Sequence, residues 1–179
     1  MENQFFEPLE DEFGYVWGYN LNSKVLYNVF AESNEKYQGL DLSKPITFFK
    51  REFTKKEFDA VYSSPVFSGE INGEKVKIIF NECVFRIQEP VSFYNVAIEF
   101  NRCSTHTGSF AFSKCIHSEV EITNRTLFSV ISIIESNEIH LKFKDVVISE
   151  LNLKKNIGLN FEAEKVNEPK ITVDRCLQD

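Results

Sequence analysis

The chain has 179 residues and a mass of 20.8 kDa, enough for one ordinary domain. Hydrophobic residues at 42% and charged residues at 26% belong to a folded globular chain, and no apolar run approaches the roughly 18 residues that a membrane-spanning helix needs. Lys+Arg 20 against Asp+Glu 27 leaves a net charge of −7, which disfavours nucleic acid and membrane as direct partners and suits docking onto a basic protein surface.

The opening stretch MENQFFEPLEDEF carries five acids and no base, unlike a secretory signal, so the four cysteines are expected to be free thiols in the cytoplasm. Residues 1–75 read as an N-terminal α+β capping region. Phe13, Tyr15, Trp17 and Tyr19 alternate along a strand, and 24–32 supplies a second. Thr54 and Glu57 have the spacing of a capping box, with Phe53 and Phe58 as its hydrophobic staple, which predicts a helix over 55–62 that ends before Pro65. Asn72-Gly73 between 66–71 and 74–79 predicts a tight hairpin, because both residues tolerate the positive φ of a type I′ turn.

Residues 76–179 carry an internal repeat. IIFNEC (78–83), IEFNRC (98–103) and FAFSKC (110–115) share one pattern, and looser copies follow to 176. Two interleaved series emerge: Phe80, Phe100, Ile122, Phe143, Phe161, and Phe93, Phe112, Ile133, Leu153, Val173. The residue two before each is apolar as well. Two inward residues around one outward residue describe a short strand, and a step of about 20 brings that strand back one rung higher. The expected fold is mainly β, a β-helix or solenoid of about five turns, roughly 20–25 Å long, behind the N-terminal cap. The alternative is an antiparallel β-sandwich, which the half-period of about 10 also fits. The scarcity of hairpin turns after residue 75, with glycine only at 108 and 158, favours the solenoid.

The spacing Phe80-x-x-Cys83-x-Phe85 resembles pentapeptide-repeat proteins. The five-residue frame returns at Phe112, His117 and Ile122, with Phe110, Cys115 and Val120 two before each, and again at Phe143, Ile148 and Leu153, with Leu141, Val146 and Leu151. It breaks near Pro90, 105–108 and Asn156. The resemblance covers residues 76–176 and implies a right-handed, four-sided β-helix. Some members of that family mimic duplex DNA and bind type II topoisomerases.

Candidate chemistry is sparse. Cys83, Cys103, Cys115 and Cys176 each fall three residues after a central apolar position and lack the close pairs of a zinc site, so they read as small buried corner residues, with no metal and no cofactor. His106, His117 and His140 match no catalytic spacing; His117 is expected inward. Glu99 and Glu121 should stack on adjacent outward positions, with Ile79, Lys142 and Asn160 in the same column and Glu119 close by. Ser92, Ala111, Ser132, Asn152 and Thr172 should form a flat, uncharged outward face.

Nothing points to an enzyme. The leading expectation is a protein-binding module, an immunity or inhibitor protein covering the active site of a basic toxin or nuclease, an association by composition rather than by motif. Glu99, Glu119 and Glu121, with Glu10, Asp11 and Glu12, are the partner-binding candidates. A DNA mimic for a type II topoisomerase and a carbohydrate-active β-helix enzyme are the alternatives. Few residues follow Val173, so the C-terminal end of the stack is expected to expose core and to form a homodimer or take a partner.

Overall fold

The computed structural model describes residues 4–6, 9–10, 16–20, 25–28, 45–63, 70–71 and 74–178. Its strands are β1 (Gln4–Phe6), β2 (Leu9–Glu10), β3 (Val16–Asn20), β4 (Val25–Asn28), β5 (Ile46–Phe49) and β6 (Glu52–Thr54), then helix α1 (Lys55–Ser63). After it come β7 (Glu70–Ile71), β8 (Glu74–Lys75), β9 (Lys77–Asn81), β10 (Val84–Arg86), β11 (Ala97–Asn101) and β12 (Ser104–Thr105). The chain continues through β13 (Ser109–Ser113), β14 (Ile116–Thr123), β15 (Val130–Ile134), β16 (Asn137–Val146), β17 (Glu150–Lys154), β18 (Asn160–Val166) and β19 (Lys170–Asp174).

From β9 onward the apolar alternation of each strand is satisfied by stacking on the strand one rung away. β9, β11, β14, β16 and β18 pair in parallel, placing Phe80 opposite Phe100, Phe100 opposite Ile122 and Ile122 opposite Phe143. β13, β15, β17 and β19 form a second parallel sheet, with Phe112, Ile133, Leu153 and Val173 in register. β6, β10 and β12 make a third, short one. The result is a β-solenoid of about five turns, and the sandwich alternative fails because these neighbours run parallel. The column Asn137, Ile157 and Leu177 closes each late turn through single-residue bridges.

Three register assignments differ from the repeat. Phe143 faces Ala163, while Phe161 faces Leu141: the 18-residue step to Phe161 is too short, and the in-register residue is a small one that an apolar search passes over. Val91, not Phe93, bridges to Phe112, although the Phe93 and Phe112 rings still meet edge-on at 5.8 Å. His117 is exposed, because the side between Cys115 and Ser118 is too short to carry an inward residue there; its φ is 49° and its Nδ1 lies 3.2 Å from Glu138.

The parallel stack reaches further back than the 20-residue period shows. β5 lies parallel to β9, with Phe48 opposite Phe80, and β1 lies parallel to β5. The 32 residues from Phe48 to Phe80 hold β6, α1 and the hairpin β7–β8, which lengthen that turn and hide its period. β1 to β4 continue the sheet beyond it through antiparallel pairs. One half of the capping box closes, with the Glu57 amide donating to Thr54 Oγ1 at 3.3 Å, and the Thr54 hydroxyl in turn donates to the Glu57 carboxylate at 3.1 Å. Phe53 and Phe58 are both fully buried. β7 pairs antiparallel with β8, so two residues, 72 and 73, connect them; these lie outside the described residues, as do Phe13, Tyr15 and Pro65.

The core changes character along the axis. Phe48, Phe80 and Phe100 stack at 5.6 Å per step, with Phe53, Phe58, Phe85, Phe110 and Phe128 packed around them. Beyond Phe128 the interior is mainly aliphatic: Ile131, Ile133, Leu141, Ile148, Leu151 and Leu153. Residues of the five-residue frame from Leu141 to Leu153 are all buried.

Candidate functional site

Parallel, in-register pairing turns outward residues into columns about 4.8 Å apart per rung. Along β9, β11, β14, β16 and β18, one column is Ile79, Glu99, Glu121, Lys142 and Glu162. The first four follow the sequence expectation. The fifth is Glu162, and Asn160 moves to the neighbouring column with His140, for the same reason that Phe161 is displaced. That neighbouring column runs Lys77, Ala97, Glu119, His140 and Asn160.

Glu99, Glu119 and Glu121 therefore come together on two adjacent strands. A shallow cleft of about 300 Å³ on this face is lined by Lys77, Glu119, Glu121, His140 and Lys142 among others. Lys77 Nζ stands 3.9 Å from Glu121 Oε2. Glu99 is half-buried, and burial holds its carboxyl above the ordinary range; Lys77 opposes that shift and the Glu121 charge adds to it. Following a single outward column leaves Lys77 and His140 unnoticed, although their positions two residues before Ile79 and Lys142 carry the signal. Further along the stack acids and bases stand side by side, with His140 Nε2 3.5 Å from Glu162 Oε1 and Lys144 Nζ 3.9 Å from Glu164 Oε2.

Glu10 belongs to β2, on the antiparallel extension, and its backbone pairs with Val16. Asp11 and Glu12 lie outside the described residues. The second outward face runs Ala111, Ser132, Asn152 and Thr172 in register, as the repeat predicts, but Ser92 leaves that column: Val91 bridges to Phe112, and the Ser92 hydroxyl donates to Ser113 O.

The cysteines fall on two corners of the coil. Cys83 Sγ donates to Phe48 O at 3.4 Å and Cys103 Sγ to Phe80 O at 3.1 Å, each reaching one rung back. Cys115 Sγ donates to Val91 O at 3.5 Å on the other corner. Burial pushes Cys115 up to about 12 and Cys103 well above the usual thiol range, while the hydrogen bond from Cys103 lowers Cys83. Thr126, Ser136 and Asn156 take the same corners in later turns. Asn156 Oδ1 accepts from Ser136 N at 2.9 Å and its Nδ2 donates to Ile133 O at 2.7 Å. Thiol, hydroxyl and amide thus all serve to satisfy backbone groups that the turns leave inside. Among the described residues no three His, Cys, Asp or Glu side chains gather as a metal site.

Comparison with protein-family models, with curated proteins and with solved structures finds no match.

Proposed function

We propose that this chain is a non-enzymatic protein-binding module that sets Glu99, Glu119 and Glu121 against a cationic patch of its partner. Its most concrete form is an immunity or inhibitor protein that covers the active site of a basic toxin or nuclease in the cytoplasm. The observation that carries the reading is the placement of three carboxylates on adjacent strands, two of them half-buried, on an open face. Carboxylates held by a sheet need little reordering on contact, and their field steers a basic partner during approach.

A carbohydrate-active enzyme is the second reading. It draws on the raised carboxyl of Glu99 beside Glu121, a pairing that can divide acid and base roles. The DNA-mimic reading has less support, because a duplex mimic needs a run of like charge. The corner column alternates instead, with Lys50 3.7 Å and Arg102 3.8 Å from Glu82.

Isothermal titration of the chain against purified basic nuclease and toxin domains tests the proposal. One of them should bind, and the affinity should fall roughly tenfold or more as salt screens the contact. The triple change Glu99→Gln, Glu119→Gln and Glu121→Gln should weaken binding by a similar factor with the circular dichroism unchanged. Binding indifferent to salt and to all three substitutions, or no binding across the panel, overturns it. Polysaccharide cleavage that Glu121→Gln abolishes would establish the enzyme instead.

A further inference from the structure

Among the described residues, none stacks on the outer side of the rung formed by β18 and β19. Phe161, Ile171 and Val173 occupy inward positions opposite Leu141, Leu151 and Leu153, yet they are 43%, 56% and 61% exposed. The backbone is open too. Lys170 N donates to Ser149 O, so the amide of Lys170 faces the preceding rung, and alternation along β19 turns the N–H and C=O groups of Ile171 and Val173 off the end. An apolar surface beside an unpaired strand edge is a template for another strand.

The sequence of β19, Lys170-Ile171-Thr172-Val173-Asp174, is self-complementary in one arrangement only. We infer that two copies of this chain join end to end, β19 pairing antiparallel with β19 of the second copy about a two-fold axis at Thr172. That register sets Lys170 opposite Asp174 of the second copy, and the reverse, so the axis produces two opposite-charge pairs. Ile171 and Val173 of the second copy become the hydrogen-bonded pairs, which uses the backbone groups that point off the end. Thr172 meets its own copy at a non-hydrogen-bonded position.

The charges of the preceding rung extend the pattern. Glu150 is in register with Lys170 and Lys154 with Asp174, so acid and base alternate through the junction from one chain into the next. β18 does not offer the same match. An antiparallel pair centred on Ala163 would set Glu162 against Glu164 of the second copy twice, and like charges directly opposite destabilise a pair. The axis therefore belongs on β19, with Phe161 and Ile171 buried in the joined core. This inference does not depend on the acidic face of β11 and β14.

Sedimentation velocity over a concentration series of the 179-residue chain tests it. A dimer is expected for the unaltered chain. Lys170→Glu alone and Asp174→Lys alone each create two like-charge pairs and should weaken the dimer by roughly tenfold or more. Mixed together, the two variants should recover a heterodimer, since every pair across the axis is then opposite in sign. Thr172→Cys should cross-link as a disulfide dimer on mild oxidation, and Asn152→Cys, one rung inside, should not. A chain that remains monomeric at the highest concentration overturns the inference and leaves the rung to a different protein. A dimer that both single variants preserve, or that the mixture fails to restore, overturns it as well.

Discussion

Glu99 stands in one column with Ile79 on one side and Glu121 on the other, half removed from water. Burial there favours the protonated form, so its carboxyl titrates above the ordinary value of 4.5. A group shifted upward by folding contributes its full stability below its unfolded pKa, and that contribution is lost as pH rises through the folded pKa. Near neutrality the ionised Glu99 therefore works against the fold, although solvent around the half-exposed group screens much of the effect. A neutral isostere removes that opposition. Glu99→Gln should raise the Tm at pH 7 by about 1–3 °C, on the scale of a fraction of 1 kcal/mol in a chain of this size. The gain should disappear below about pH 4, where both forms are neutral. Calorimetry at the two pH values reads it directly, and an equal or lower Tm at pH 7 would refute the electrostatic account. A carboxylate kept where it costs stability is the kind of residue that a binding face retains.

At the scale of the element, the turns explain both what the sequence reveals and what it hides. Among the described residues, fourteen that are not glycine adopt a φ between 48° and 62°. Twelve of them fall in three columns at the corners of the coil. Lys50, Glu82, Arg102, Asn124 and Asp145 follow one set of strands, and Lys114, Glu135, Lys155 and Arg175 follow another; Asn95, His117 and Glu138 make the third. At each corner the left-handed residue aims its amide at the next rung, as Glu82 N does at Asn101 O (2.8 Å) and Glu135 N at Lys154 O (2.8 Å). Inter-rung hydrogen bonding over-determines the strained conformation, so glycine is not required there. Such a conformation costs an L-residue roughly 1–2 kcal/mol, and glycine avoids this at an entropic cost of roughly 0.5–1 kcal/mol. Exposed Lys114, with φ 57°, makes a clean test. Lys114→Gly should stabilise by about 0.5–1 kcal/mol and Lys114→Val should destabilise by at least as much in urea titration. The reverse order would show that the corner is not under strain. Because nearly all of these turns lack glycine, Gly158 (φ 65°) after Glu138 being an exception, the sequence betrays the solenoid through its strands: Phe80, Phe100, Ile122 and Phe143 mark the rungs correctly. The same signal fails where a small residue fills the position, as at Ala163. It fails too where an insertion lengthens the turn, as α1 and the hairpin do between Phe48 and Phe80. The acidic columns are legible for the same reason as the core, since outward residues inherit the register of inward ones. The electrostatic company of Glu99 and Glu121 was not, because Lys77 and His140 stand two residues away along their strands and enter only through lateral contact.

At the scale of the whole molecule each rung touches only the rungs above and below, so stability should be nearly a sum of rung and interface contributions. That makes a whole turn removable. Ser109 is in register with Val130, so deleting residues 109–129 and joining Gly108 to Val130 keeps both long ladders in phase. β11 would then lie against β16, with Ile98 on Leu141, Phe100 on Phe143 and Glu99 beside Lys142, a pairing at least as compatible as the native one. The lost turn contains Phe110, Phe112 and Phe128, which belong to the ring cluster, so the shortened chain should melt lower by roughly 5 °C or more while keeping a cooperative transition and a β-type circular dichroism spectrum. Loss of the cooperative transition would mean that the coil folds as one indivisible unit rather than rung by rung. The same deletion removes Glu119 and Glu121 and leaves β19 intact. Binding to a basic partner should therefore weaken by roughly tenfold or more in a chain that still folds, while end-to-end pairing through Thr172 persists.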